Sequence, residues 1–397
     1  MSDGREAYWN PACWRLPTNE ELIAYNKRVF QEGGDKKKGA RGGALIARSS
    51  LNTLDVYTYL KGRFGEPNGF QTFIAKDDSD NLFHWDYSLR ADGYDLHFIG
   101  GSREVHIWTQ LHLKDGEWRR LIDALKADYR REAEAKSAVR QRLEKWLVFN
   151  NKFALIADQC ADKHALITDQ MGKFGDIAPT SKGFKSRETK RVAKRANELF
   201  GACLELRLLT PVMAEAFVNM LILFTCRAEV KADRRLHDAF IRSNIDVKVA
   251  DLFYKCRFFA KAPNCRDPEF AAFMTVWNKR ADTLHGNVDP ERDKFETVHF
   301  DGKRPLYSTG GDPVARFYET LEEVHDPAAA IADYEVVHTF TEYLLDCVDR
   351  RAREELRELL HTSQPGWREE TKRFGRLFPD HFAAAHFGIR YDDELAL

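Results

Sequence analysis

The chain has 397 residues, 43% hydrophobic and 12% aromatic, which is enough material for two or three hydrophobic cores and excludes a disordered chain. Its 61 basic and 62 acidic residues leave a formal net charge of -1, so any nucleic-acid contact has to come from a local basic patch. Its seven scattered cysteines contain no C-x-x-C pair, which argues against a zinc cage and a disulfide framework, and no cofactor is expected.

Residues 1–48 have the composition of an N-terminal tail that ends in a flexible Gly/Lys segment. The glycines between Gly33 and Gly43 flank Lys36 to Lys38, which predicts a mobile basic connection. The first residues lack the basic stretch and apolar core of a secretory signal. We therefore expect a cytoplasmic protein.

Residues 49–150 predict an α+β module. Leu51 to Phe64 has the spacing of a helix, and helical spacing returns from Trp118 onward. Between them lie four runs with alternating apolar residues, joined by short turns that allow only antiparallel neighbours. The runs of this predicted antiparallel meander are Gly69 to Ala75, Asn81 to Arg90, Tyr94 to Gly100 and Glu104 to Leu113.

Polar residues alternate with aromatic ones in the meander, so one face of the predicted sheet carries histidine and aspartate side chains. This pattern suggests a metal or small-ligand site, although a half-solvated sheet face is the commoner explanation. We therefore predict no metal site. The residues concerned are His84, Asp86, Asp95, His97, His106 and His112.

Residues 151–207 predict a connecting region that contains a basic helix. A basic stripe of this kind can follow an RNA backbone, and a solvated helix face is the simpler alternative. The residues of the stripe are Lys182, Lys185, Arg187, Lys190, Arg191, Lys194 and Arg195.

Residues 208–350 predict a helical domain. Thr210 and Pro211 suit the cap and first turn of an apolar helix, and the interruption of its apolar run by Glu215 and Asn219 argues against a membrane span. A second helix is predicted over Val247 to Phe259.

A third helix is predicted from Pro268 to His285, where Gly286 ends it. A hairpin then follows, and Ala328 to Leu360 is long and helical. We expect residues 351–397 to form a helical C-terminal extension.

The third helix ends with an arginine and a histidine that have four residues between them, Arg280 and His285, directly before Gly286. The same spacing occurs between Arg376 and His381, where an intervening proline interrupts the helix. Spacing alone is thus a weak signal, and the helix end before glycine distinguishes the first pair.

In this context the chain resembles the HEPN superfamily over roughly residues 208–350. The resemblance implies a four-helix bundle, commonly dimeric, and a metal-independent endoribonuclease with Arg280 and His285 as its active-site pair. It also implies a supporting role for Glu215 or Asn219. Ala281 departs from the pattern, because a polar residue often follows the arginine, and Asp282 is the candidate substitute. Lys279 would add a further contact to RNA.

The chemistry of the two side chains suits RNA cleavage by the substrate's own 2′-hydroxyl. A histidine exchanges protons near neutral pH, and an arginine presents several donors to a phosphate. Positions five apart on a helix lie roughly 140° apart around its axis, so we expect the pair to be completed across a homodimer interface. Alternatively, His285 only complements the helix dipole and Arg280 is solvated.

The sequence thus predicts an α+β N-terminal module followed by an all-α, HEPN-like bundle. We expect a dimeric endoribonuclease, of the toxin or antiviral type, whose N-terminal module receives an inhibitory or activating partner. The alternative is a non-catalytic dimerising module that binds RNA, a nucleotide or a protein.

Overall fold

The computed structural model describes residues 4–31, 43–69, 83–174, 186–286, 288–291, 294–377 and 390–395. The strands are β1 (Trp14–Arg15), β2 (Ala44–Ala47), β3 (Trp85–Ala91), β4 (Tyr94–Gly100), β5 (Val105–Thr109), β6 (Leu147–Val148), β7 (Val298–Asp301), β8 (Arg304–Tyr307), β9 (Gly366–Arg368), β10 (Arg373–Gly375) and β11 (Arg390–Tyr391).

The helices are α1 (Asn19–Gln31), α2 (Thr53–Phe64), α3 (Asp115–Arg131), α4 (Ala133–Arg142), α5 (Lys152–Phe174), α6 (Ser186–Thr225), α7 (Ala228–Ala232), α8 (Arg234–Arg242), α9 (Ile245–Lys255), α10 (Pro268–His285), α11 (Pro313–His325), α12 (Pro327–Asp346) and α13 (Arg350–His361). The chain divides into two compact units, residues 1–146 with 377–397, and residues 147–376.

The first unit is built on a sheet with the strand order β1-β3-β4-β5-β2-β11. Its β3, β4 and β5 pair antiparallel, as the meander prediction expects. Tyr87, Phe98, Ile107 and Leu45 are in register on one face, and all four are buried with apolar residues of α2 and α3. The unit is therefore α+β, as predicted. The meander strand predicted from Gly69 to Ala75 lies, beyond Gly69 itself, outside the described residues.

The opposite face of this sheet carries the predicted polar set, but it is buried and not half-solvated. Asp86, His97 and His106 are each less than 10% exposed. The His97 ring packs on Tyr25 at 4.1 Å between centroids, and its Nδ1 lies 3.1 Å from the Ser88 hydroxyl. Nε2 of His106 lies 2.9 Å from a Glu104 carboxylate oxygen. Protein groups thus serve as partners on this face.

The prediction that residues 1–48 form a tail is wrong for the parts that the structure describes. Tyr8 is fully buried, Trp14 belongs to a strand that pairs with β3, and Ala44–Ala47 is a strand beside β5. Burial of aromatic side chains explains why this segment joins the core. The predicted mobile residues Lys36 to Lys38 lie outside the described residues.

The second unit is helical and is organised around α6, which contacts α5, α10 and α12. Aromatic stacking joins α10 to α12, because the Phe273 and Phe340 rings are nearly parallel with centroids 4.0 Å apart. The predicted helix from Pro268 to His285 is confirmed, and Gly286 follows it with a φ of +61°. The predicted hairpin is present as β7 and β8.

The predicted helix start at Thr210 and Pro211 is wrong, because α6 is one helix of 40 residues with Pro211 in its interior. Pro211 cannot donate a hydrogen bond to the carbonyl of Arg207, which weakens the helix locally. However, Leu199, Cys203 and Leu206 upstream are buried in the same core as the downstream half. Burial of both halves favours a continuous helix, which also removes the predicted boundary at residue 207.

The prediction of a helical extension over residues 351–397 is correct only as far as His361. After α13 the chain forms β9 and β10, and β9 pairs with β6. The later strand β11 lies parallel to β2 in the first unit. The extension therefore contributes to both units, and His381 lies outside the described residues.

One stretch, Lys190–Thr225 in α6, is long and apolar enough by composition to cross a membrane. Its most apolar window is 61% buried inside the protein. Such burial is what the core helix of a soluble protein shows.

Candidate functional site

The end of α10 places Arg280 and His285 in different environments. Arg280 is half-buried, and its guanidinium carbon lies 4.9 Å from the centre of the Trp277 ring, in a cation–π contact. Its Nε is buried and has no hydrogen-bond partner among the described residues. His285 is exposed in the last helical position. The arginine is thus held in a fixed orientation, while the histidine is accessible.

Within the described part of the chain, no hydrogen bond joins Arg280 to His285. This agrees with their angular separation of roughly 140° on a regular helix. Asp282 belongs to the same helix, and its side chain is outside the described part of the structure. Lys279 forms an ion pair of 2.9 Å with Asp333 of α12, so this lysine also connects two helices.

Glu215 and Asn219 both contact Lys248 of α9, a residue that the sequence did not lead us to predict. The Lys248 Nζ lies 3.2 Å from a carboxylate oxygen of Glu215 and donates a hydrogen bond of 3.1 Å to the amide oxygen of Asn219. Lys248 is fully buried, whereas the Glu215 side chain is 35% exposed. A buried ammonium therefore has two acceptors, and one of them reaches the surface.

The sequence did contain a signal for Lys248. Ile245, Lys248, Val249 and Leu252 follow the i, i+3, i+4, i+7 spacing of one helix face, and all four are buried. A lysine on the apolar face of a helix needs an acceptor from a neighbouring element. The polar residues inside the apolar run of α6 are the natural candidates.

The described part of the basic stripe lies at the start of α6. Lys190, Arg191 and Lys194 are exposed, and Arg195 is half-buried. Lys194 forms a long ion pair of 3.6 Å with Glu198, one turn further along the helix. Lys182, Lys185 and the side chain of Arg187 lie outside what the structure describes. The visible part of the stripe is a solvated helix face, which both interpretations of the sequence allow.

Among the described residues, no three His, Cys, Asp or Glu side chains are grouped to hold a metal ion. His84 is exposed and lies 3.0 Å from the Ser102 hydroxyl, and His112 is exposed after the end of β5.

No protein-family model, no curated protein and no solved structure matches this chain.

Proposed function

We propose that the protein is a metal-independent endoribonuclease that acts as a cytoplasmic homodimer, with Arg280 and His285 at its active site. The observation that carries the proposal is the arrangement at the end of α10. Arg280 is positioned on Trp277 with a buried nitrogen that has no protein partner in the described residues, and His285 is accessible five residues later. An oriented guanidinium and an accessible imidazole suit the reaction.

The reaction needs one group that moves protons and one that stabilises negative charge. His285 takes the proton from the 2′-hydroxyl, or gives a proton to the departing 5′-oxygen. Arg280 donates hydrogen bonds to the phosphoryl oxygens as charge develops on them. The products are a 2′,3′-cyclic phosphate and a 5′-hydroxyl end. Since the two side chains lie roughly 140° apart around the axis of the same helix, a second copy of α10 completes the site in the dimer.

Glu215 and Asn219 have a supporting role in this proposal, because Lys248 fixes both of them. The exposed lysines and arginines of α6, together with Lys279, provide positive charge for the RNA backbone. The first unit would receive the partner that inhibits or activates the enzyme. The HEPN resemblance supports the same function.

The test is cleavage of RNA by the purified protein in excess chelator. We expect fragments with 5′-hydroxyl ends. We expect His285→Ala and Arg280→Ala each to reduce the rate at least about 100-fold, since a general acid or base contributes about 10² to 10⁴ and one donor to the developing charge about 10² to 10³. His299→Ala is the matched control, because His299 is an exposed histidine in the β7–β8 hairpin. RNA that stays intact with the wild-type protein would remove the enzymatic proposal.

A second candidate is a non-catalytic binding module for RNA, a nucleotide or a protein. The β7–β8 hairpin favours it, because Phe300, Leu306 and Tyr307 are more than half exposed. Exposed apolar side chains in one element are typical of a contact surface. In this case His285→Ala retains the biological activity of the protein, and RNA or a partner is bound without turnover.

A further inference from the structure

Two cysteines face each other where α6 and α9 end. Cys226 directly follows α6, Cys256 directly follows α9, and the two residues form an isolated antiparallel bridge. The N–H of Arg227 donates to the carbonyl of Lys255 at 3.0 Å, and the N–H of Arg257 donates to the carbonyl of Thr225 at 2.8 Å. The hydrogen bonds therefore flank the cysteine pair and do not join it.

This pattern defines a non-hydrogen-bonded antiparallel pair. The Cα atoms in such a pair lie about 4.5 Å apart, and directly opposed side chains project to the same side. A disulfide spans Cα separations of roughly 4.4 to 6.8 Å. The pairing of Cys226 with Cys256 therefore places their backbone in the range of separations that a disulfide spans.

The surroundings keep both thiols protonated at neutral pH. Burial raises the pKa of Cys226, and the positive charge of Lys231 opposes this effect in part. Burial raises the pKa of Cys256 to about 12, so its thiol is protonated under ordinary conditions. Because the reactive species is the thiolate, oxidation from the folded state is slow. Each cysteine is about 1% exposed, so an oxidant reaches it only when the structure opens locally.

We propose that Cys226 and Cys256 form a thiol oxidation site, in which a peroxide or a low-molecular-weight disulfide converts the two thiols into one disulfide. The two S–H bonds are lost and one S–S bond forms. The two electrons and two protons reduce hydrogen peroxide to two waters, or a small disulfide to two thiols. The site is independent of the proposed ribonuclease activity, because neither cysteine takes part in that reaction.

The new bond would link the ends of the two helices that carry the buried Lys248 and its two acceptors. Glu215 and Asn219 lie on α6, and Lys248 lies on α9. A cross-link here restricts the separation of α6 from α9 in the unfolded chain and in local opening. Oxidation is therefore expected to stabilise the second unit, and reduction is expected to reverse this effect.

The test uses the full-length protein, incubated with hydrogen peroxide and, separately, with oxidised glutathione. We expect a disulfide-linked peptide that contains both Cys226 and Cys256, with a mass about two hydrogens below the sum of the two reduced peptides. We also expect the midpoint of thermal unfolding to rise by roughly 5 to 10 °C. Dithiothreitol should reverse both changes. Cys265→Ser, which removes an exposed thiol, should leave both results unaltered, whereas Cys226→Ser should abolish both.

The peptide analysis of the wild-type protein does not depend on the folding of any variant. If alkylation after unfolding shows both thiols still free while Cys265 is oxidised, the proposal is wrong. It is equally wrong if the two sulfurs carry only glutathione or sulfinic acid and are never joined.

Discussion

Lys248 shows how the second unit accommodates a charge in its core. An ammonium loses its hydration on burial, at a cost of several kcal/mol unless acceptors replace the water. The carboxylate of Glu215 and the amide oxygen of Asn219 provide these acceptors, and they lie one helical turn apart on α6. The carboxylate itself is 35% exposed and keeps part of its hydration. The two partners of this ion pair therefore depend on it unequally.

This asymmetry leads to a prediction about stability. Glu215→Ala leaves the buried ammonium with one neutral acceptor and should lower the free energy of unfolding by about 3 kcal/mol. Lys248→Met removes the charge, fills a similar volume and leaves a carboxylate that water reaches, so the loss should be less than about 1 kcal/mol. Urea unfolding at pH 7, followed by circular dichroism, measures both values.

Glu205→Ala provides the matched control for Glu215→Ala. Glu205 also lies on α6 and pairs with Lys163, but in that pair the lysine side chain is 28% exposed and the glutamate side chain 52% exposed. Its removal should cost less than about 1 kcal/mol. Equal losses for Glu205→Ala and Glu215→Ala would show that burial of Lys248 does not decide the result.

The individual residues of the candidate site could be named from the sequence, but their contacts could not. Spacing identified Arg280 and His285 at a helix end, and it identified Glu215 and Asn219 as polar positions in an apolar helix. Periodicity shows which face of a helix is buried, but it does not show which helix covers that face. The pairing of Glu215 with Lys248 depends on the packing of α6 against α9, so it required the structure.

At the scale of elements, periodicity predicted more reliably than local end signals. α10 begins at Pro268 as predicted, and α2 begins at Thr53, two residues after the predicted start at Leu51. At Thr210 and Pro211 a good start signal lies inside a longer helix, because the apolar spacing continues on both sides of it. The cost of an interior proline, about 3 kcal/mol, is small beside the burial of apolar side chains along both halves.

The β7–β8 hairpin differs from the other elements of the second unit in its exposure. Its side chains are exposed or half-buried, and Gly302 in its turn has a φ of +59°. Phe300 is 67% exposed, whereas Phe273 of α10 is fully buried against Phe340. The same type of side chain therefore contributes very differently to stability in the two elements.

We expect Phe300→Ala to change the free energy of unfolding by less than about 0.5 kcal/mol, because surface positions contribute little. Phe273→Ala, the matched core substitution, should lower it by about 3 to 5 kcal/mol through lost burial and a cavity. Chemical denaturation of the two variants in parallel measures the difference. A large loss for Phe300→Ala would mean that the hairpin is covered in solution.

At the scale of the whole chain, the first unit contains residues from both ends of the sequence. β11 lies parallel to β2, and Asp392 directly after it is bound by the backbone that leads into α2. The Asp392 carboxylate accepts hydrogen bonds from the N–H groups of Arg48, Ser49 and Ser50, at distances between 2.6 and 3.2 Å. More than 340 positions separate these partners, so no local sequence pattern could predict the contact.

Asp392 also gives the first unit a defined dependence on pH. Burial raises the pKa of the carboxyl group, but hydrogen bonds from Ser50 and from the backbone of Arg48 and Ser49 outweigh this effect and lower the pKa to about 2. The pKa in the unfolded chain is near the ordinary value of 3.8. The stabilisation by the carboxylate is therefore fully present above about pH 4 and is lost as the pH falls from there toward 2.

Asp392→Asn keeps the shape of the side chain and removes its charge, so it should lower the free energy of unfolding of the first unit by about 2 kcal/mol at pH 7. The difference from the wild type should shrink steadily below pH 4, because the wild-type carboxyl group then loses its charge as well. Asp393→Asn is the control, since Asp393 is exposed and pairs with Arg48 at the surface, where an ion pair contributes less than about 1 kcal/mol. Thermal unfolding between pH 2.5 and 7 separates the two cases. An Asp392 variant that differs from the wild type equally at pH 3 and pH 7 would show that the N–H groups of residues 48–50 do not favour the charged Asp392 carboxylate. In that case β11 alone would hold the C-terminal segment in the first unit.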